Sequence, residues 1–252
     1  MCTLVFAWDR HPRYRFVFAG NRDEFHDRPT AAAHRWAGSD IVAGKDLVGG
    51  GSWLGVTTTG RFAVVTNFRE GQVTTDDKRS RGQLVIDYLQ SADTDVFRQQ
   101  LVADAEQYSG YNLIFGDLRA ALYHDSNRGQ SGGINRELHG LSNHLLDTPW
   151  PKVGKAMKSL ARLLQEPDLN PNELFDLLGD RSQAPTADLP DTGVGQEMEQ
   201  LLSSAFIVSP TYGTRSSTVV LLDHEGRLQF CERSFERDGS LSNEEQFEYM
   251  LQ

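Results

Sequence analysis

Apolar residues in this chain fall mostly into short runs broken by Gly, Pro, Asn and Asp, a rhythm suited to strands. Thr3 to Ala7 and Phe16 to Ala19 flank a polar, Pro-containing segment and predict a hairpin. Gly49-Gly50-Gly51 leads into Trp53 to Thr57, and Gly60 then turns the chain into Phe62 to Thr66, a second hairpin. Helical spacing follows over Arg81 to Gln90 and Thr94 to Gln107, with Thr94 as the expected N-cap. Tyr111 to Phe115 and Ala120 to His124 read as a strand pair joined at Gly116-Asp117.

Val153, Met157, Leu160, Leu163 and Leu164 predict a helix over about 152–165, with Pro167 just past its end. Asn170-Pro171 matches an N-cap followed by Pro at the first helical position, and Gly179 closes that helix. Ser182 to Gly195 reads as a surface loop. Ala205 to Val208, Ser217 to Leu222 and Leu228 to Glu232 then read as strands, the last two joined at His224-Glu225-Gly226. Hairpins alternating with helices, without βαβ crossovers, predict an α+β fold of antiparallel sheets covered by helices. No linker divides residues 1–252, so one domain is expected.

Composition narrows the function. Of 252 residues 38% are apolar, enough for a sizeable core. A net charge of −10 repels phosphate backbones, which argues against nucleic acid as a partner. No apolar stretch approaches the roughly 18 residues that span a bilayer. Met1 to Trp8 is too short for a signal peptide and lacks a basic flank. A cytoplasmic protein with a small-molecule substrate or ligand is expected, and nothing here sets its oligomeric state. In a reducing compartment Cys2 and Cys231 would both be free thiols. The seven histidines show no ligand pair at helical spacing, so neither a metal nor a cofactor is expected.

The candidate chemistry begins at Cys2. A small second residue favours removal of Met1, which would leave Cys2 with a free α-amine of pKa about 7.7–8.0, able to accept the thiol proton. The same cysteine could equally be a small residue opening an edge strand. Asn21-Arg22-Asp23-Glu24, after an apolar run ending at Gly20, could aim a carboxylate at that amine and a guanidinium at the thiol, or could form a solvated turn. Asn67 and Asn143 interrupt apolar runs, and a carboxamide there could hold a developing oxyanion. Arg215, entering the strand after Gly213, could sit near a thiolate or clamp a substrate carboxylate. Trp53, Phe68 and Trp150 beside these islands suggest an apolar rim for substrate.

In combination these segments resemble the NRDE family, which includes the transport-and-Golgi-organisation proteins. The resemblance rests on Met1-Cys2-Thr3, Asn21 to Glu24, Gly51 to Gly55, Thr66 to Arg69, Tyr111 to Leu113, Leu141 to Asn143, Thr148 to Lys152 and Tyr212 to Thr218. It implies a four-layer αββα sandwich of the N-terminal-nucleophile hydrolases, with more distant similarity to choloylglycine hydrolases and penicillin V acylases. It further implies Cys2 as nucleophile, Asp23 near its amine, Asn67 and Asn143 as oxyanion and positioning residues, and Arg215 near the thiol. Those amidases carry an arginine three residues before the aspartate, where this chain has Gly20. Arg22, in the adjacent position, leaves the strand on the opposite side by the period-two rule. Members have been connected with lipid or acyl-CoA homeostasis and with haem movement. The resemblance therefore implies either a cysteine amidohydrolase or acyltransferase, or a carrier of haem or an acyl conjugate.

Overall fold

A computed structural model describes residues 2–71 and 78–251; Met1, whose removal the resemblance requires, lies outside them. Strands β1 (Cys2–Trp8), β2 (Tyr14–Phe25), β3 (Thr30–Arg35), β4 (Ile41–Asp46), β5 (Leu54–Thr57) and β6 (Arg61–Asn67) come first. Helices α1 (Gly82–Gln90) and α2 (Thr94–Asp104) lead to β7 (Tyr111–Asp117), β8 (Ala121–Ser126), β9 (Gln130–Gly133) and β10 (Leu138–Leu141). Then come α3 (Pro151–Leu163), α4 (Pro171–Leu178) and the short α5 (Gln196–Leu201), before β11 (Tyr212–Asp223), β12 (Arg227–Phe235) and β13 (Leu241–Met250).

Two antiparallel sheets result. The first has the order β10-β1-β2-β11-β12-β13, the second runs β3 to β9 in sequence order, and β1 is an interior strand. Side-chain alternation sorts the core into layers. Leu4, Phe6, Phe16 and Phe18 point between the sheets, where Phe62 of β6 meets Phe16 and Phe18 edge-on at 5.2 and 5.4 Å. Val5, Ala7, Val17 and Ala19 point the other way, under α3 and α4. The second sheet is covered on its outer face by α1 and α2, around Tyr88, Phe97 and Phe115. Helix, sheet, sheet, helix is the four-layer αββα sandwich. The unbroken apolar runs of β1 and β2 follow from it, because a strand covered on both faces needs an apolar residue at every position.

Several boundaries differ from the sequence expectation, each for a local reason. β2 does not end at Gly20. It carries on through Asn21 to Phe25 along β11, Thr214 opposite Asp23, while Asn21 and Arg22 also pair with β1, Cys2 opposite Arg22. Those polar side chains find buried partners, so they need no solvent. The cap of α2 is Asp93, not Thr94: its carboxylate accepts from the amides of Asp95 and Val96 at 2.7 and 3.0 Å. The β7–β8 turn falls at 117–120, with Ala120 N–H bonded to Asp117 C=O, so Gly116 stays in the strand. Ala205 to Val208 is not a strand apart from one bridge, Val208 to Gly213. Its backbone is held by Asn21 Nδ2 on Ala205 C=O, by Thr214 Oγ1 accepting from Ile207 N–H, and by backbone bonds from Thr214 N–H to Ile207 C=O and from Phe206 N–H to Asp180 C=O. β13 was unread because its charged sequence exposes most positions, and only Phe247 and Tyr249 reach the core. Polar residues on an edge strand also discourage further pairing.

Gly51 fixes how α1 meets the second sheet. A Cβ there would lie 2.3 Å from the carbonyl carbon of Gly82, at the start of α1. Gly51→Ala should therefore destabilise the protein by about 1–3 kcal/mol in chemical denaturation, the usual range for overpacking. An unchanged unfolding midpoint would mean that the helix start yields freely.

Candidate functional site

The site lies where the polar end of β2 enters the space between the sheets. Alternation places Cys2, Leu4 and Phe6 of β1 on the inter-sheet face, and on β2 it does the same for Phe18, Gly20 and Arg22. The expectation that Arg22 leaves the strand on the wrong side to stand in for the amidases' arginine does not hold. Arg22 points away from Asp23, but positions 20 and 22 have the same parity, so it shares the face of Gly20 and Cys2. The arginine therefore lies beside the thiol although position 20 has no side chain. A side chain at 20 has little room, since its Cβ would come 2.8 Å from the Phe18 ring.

Cys2 lines a cavity of about 530 Å³, together with Arg22, Trp53, Asn67 and Arg81 among others. Its backbone carbonyl accepts from Ser142 Oγ at 2.8 Å. Burial pushes the thiol up, while Arg22 and a backbone hydrogen bond from Asp23 pull it down. Arg22 is itself buried, donates to Thr30 Oγ1 at 3.2 Å, and approaches Glu24 at 3.8 Å.

Asp23 faces the helix layer. Its carboxylate accepts from Thr214 Oγ1 at 2.7 Å, and its backbone carbonyl accepts from the Tyr212 hydroxyl at 3.0 Å. Burial raises the Asp23 pKa, and Lys152, Thr214 and Arg22 oppose that rise. The β1–β2 register, with Cys2 opposite Arg22, carries the backbone on the N-terminal side of Cys2 toward Asp23. A carboxylate there can meet an α-amine on residue 2.

The two asparagines divide their work. Asn67, the last residue of β6, lines the cavity, and its side-chain amide has no hydrogen-bond partner among the described residues. Asn143 is fully buried and does not line that cavity. Its amide donates to the Asn67 carbonyl at 3.0 Å, and its own carbonyl accepts from Arg69 N–H at 2.7 Å. It ties β6 to the segment after β10 and so positions Asn67.

Arg215 does not line the Cys2 cavity. A β-bulge between Thr214 and Ser216 sends it to the adjoining cavity, where one Nη donates to the carbonyls of Phe25, His26 and Arg28 at 3.0–3.1 Å. Of the three aromatics, only Trp53 walls the cavity. The Phe68 and Trp150 rings flank His144, at 4.9 and 5.9 Å, and Trp150 stacks under the Arg69 guanidinium at 4.6 Å. Both therefore serve the packing behind the site.

Two cations at the site, one half-buried and one buried, carry no signal in the sequence. Arg81, just before α1, lines the cavity and donates to Gly110 C=O at 3.1 Å. Lys152, in the first turn of α3, is 5% exposed, and its Nζ makes no hydrogen bond among the described residues. Burial pulls Lys152 down to about 8, against the opposing pull of Asp23 and Cys2. In sequence it is one more lysine after Trp150-Pro151, and only packing shows that it is sealed. Cys231 lies in the core under α4, its thiol pushed up to about 11 by burial, and both cysteines are free. No cluster of three metal-binding side chains forms among the described residues, and none of their helices is long and apolar enough to cross a membrane.

A layered sandwich with a buried cysteine opening an interior strand has the architecture of the N-terminal-nucleophile hydrolases. The C2A mutant of the conjugated bile acid hydrolase from Clostridium perfringens is similar in fold, with a TM-score of 0.53 over 99% of this chain and 97% of that one at 7% identity. The chain belongs to the Transport and Golgi organisation 2 family, whose model matches residues 1–237. It is 32% identical to the human Transport and Golgi organization protein 2 homolog over the full length of both chains. Identity to the Bos taurus homolog is 35% over 93% of each.

A buried ammonium without a hydrogen bond weakens a fold. Below pH 8 both folded and unfolded states hold the Lys152 proton, so the whole cost is present. Between about 8 and 10.5 the folded state sheds that proton first, and stability recovers as pH rises. Lys152→Met should therefore stabilise the protein by about 1–3 kcal/mol at pH 7 in chemical denaturation, with the gain shrinking toward pH 10. A loss of stability at pH 7 would show that Lys152 holds the site together.

Proposed function

We propose that this chain is an N-terminal cysteine hydrolase or acyltransferase acting on a small amide or acyl conjugate. The observation that carries the reading is the Cys2 thiol in a cavity of about 530 Å³ between the sheets, beside Arg22, while the β1–β2 register brings its N-terminal side to Asp23.

Removal of Met1 exposes the α-amine of Cys2, and that amine takes the thiol proton. The sulfur attacks the substrate carbonyl carbon, and the oxyanion forms against the Asn67 amide. Collapse breaks the C–N bond and leaves a thioester on Cys2, and the α-ammonium returns its proton to the departing amine. Water, or a second nucleophile in acyl transfer, then attacks the thioester, giving up its proton to the amine as the thiol is regenerated. Asp23 favours the ammonium form between these transfers, and Arg22 favours the thiolate.

A second reading is supported by a different observation. The relatives are named for transport and Golgi organisation, and burial raises the Cys2 thiol, which suits a cavity that holds its ligand without attacking it. Haem or an acyl conjugate would be the cargo in that case, held by the cavity walls.

One set of variants separates the two. Cys2→Ala and an uncleavable N-terminal extension should both abolish turnover across a panel of acyl amides and thioesters, while Cys231→Ala keeps it. Cys2→Ser should fall steeply, because a hydroxyl is the weaker nucleophile. Full turnover by the extended protein would rule out activation by the α-amine. Haem or an acyl conjugate binding equally to the Cys2→Ala protein, with no amide cleaved by any form, would favour the carrier.

A further inference from the structure

Between two packed sheets the facing side chains are ordinarily apolar, and at one end of this interface they are not. In strand register Cys2 stands opposite Arg22, Arg22 opposite Ser216, Ser216 opposite Ser234, and Ser234 opposite Asn243. All five fall in one lateral row across the first sheet. The next row inward carries Thr218 and Glu232, and only beyond it does the inter-sheet face become the apolar core of Phe18, Val220 and Phe230.

The far part of this row opens into a second cavity of about 280 Å³, lined by Lys45, Arg215, Ser216, Glu232 and Ser234. Arg22, Ser52 and Trp53 wall both cavities, so the two adjoin across the guanidinium nearest the thiol. Three cations, Arg22, Lys45 and Arg215, and three carboxylates, Asp46, Glu232 and Glu236, line the second cavity. Asp46 is engaged by Arg28 at 2.8 Å, and Glu236 stands exposed at the rim. Glu232 is held by the Ala33 amide at 2.7 Å and Thr218 Oγ1 at 3.3 Å, and burial pushes its carboxyl up to about 7. Arg215 spends one Nη on the 25–28 carbonyls. A guanidinium has five N–H donors in a planar fork, and those left on Arg215 suit a carboxylate. The bulge that makes Arg215 an extra residue on β11 is what brings it to this cavity.

On the hydrolase reading above, we infer that the second cavity binds a carboxylate carried by the substrate, held by Arg215 and Arg22 with Ser216 and Ser234. Its distance from the scissile carbonyl follows from the strands. Neighbouring strands lie about 4.8 Å apart, so Ser216 is roughly 10 Å and Ser234 roughly 14 Å from Cys2 along the row. The substrate lies across the strands, its reacting carbonyl at Cys2 and its anionic end two to three strands away. The same carboxylate could sit on the amine half or on the acyl half.

Two probe series test this. N-acetyl amides of glycine, aminobutyrate and aminohexanoate place the carboxylate on the amine half; N-methyl monoamides of succinate, adipate and suberate place it on the acyl half. Each probe is compared with its neutral carboxamide. The longer carboxylates of one series should exceed their neutral partners in kcat/KM by at least tenfold, and the series that responds identifies the half. Arg215→Gln should bring that ratio close to one. Ser234→Asp, which puts an anion in the cavity without touching the 25–28 carbonyls, should bring it to one or below. Calorimetric binding of N-acetyl-aminohexanoate and of N-methyl adipamate to the Cys2→Ala protein tests the cavity without chemistry, and Arg215→Gln should weaken the binding of one of them at least tenfold. Binding that depends on Arg215, in a protein that cleaves no amide, would uphold the carboxylate site and remove the hydrolase reading. Indifference to the carboxylate, or a charge preference that survives both variants, would overturn the inference.

Discussion

Everything at the site depends on the pairing of β1 with β2 in one register. With Cys2 opposite Arg22, alternation puts the thiol and the guanidinium on the inter-sheet face and turns Asp23 to the helix layer. A slip of β1 by one residue would turn the thiol under α3, away from the Arg22 guanidinium. The apolar cores hold the register. Leu4 and Phe18 would lose the inter-sheet layer, and Val5 and Ala19 would lose the packing of α3 and α4, if the strands shifted.

That arrangement requires charges to be buried at the end of an otherwise apolar sandwich. Arg69 and Glu199 pair at 2.5 Å with both side chains about 5% exposed, and Trp150 stacks on the guanidinium. Arg22, Asp23 and Lys152 are buried close by, and Glu232 bridges the two sheets through the Ala33 amide. Groups of this kind are costly to bury. Their concentration at one end of the interface, beside the cysteine, sets that end apart from the rest of the core. Functional sites commonly hold ionisable groups away from their ordinary protonation in this way.

Much of the layered architecture was legible because apolar runs at hairpin spacing need no tertiary information. Cys2, the acidic position at 23 and Asn67 were legible as candidates from residue type and position alone. What escaped the sequence is what depends on packing between distant segments. Lys152 looks like a surface cation until α3 packs and seals it, and Arg81 looks like one until the start of α1 turns it to the cavity wall. Arg215 looked like a partner of the thiol because period-two alternation cannot show a bulge, and the bulge moves it into the neighbouring cavity. Phe68 and Trp150 stand beside polar islands in sequence, yet they pack around His144 behind the site. β13 hid because an exposed edge strand needs only two apolar residues to hold its place.

The central claim is that Cys2 carries an acyl group as an intermediate, and intact-mass spectrometry of untagged protein, quenched in acid shortly after mixing with an activated acyl ester, reads it directly. The expected result is a chain lacking Met1 that gains a single acyl group, mapped to Cys2 by peptide digestion and lost again as the reagent is consumed. A chain that keeps Met1, or an adduct confined to Cys231 or to lysines, would contradict it.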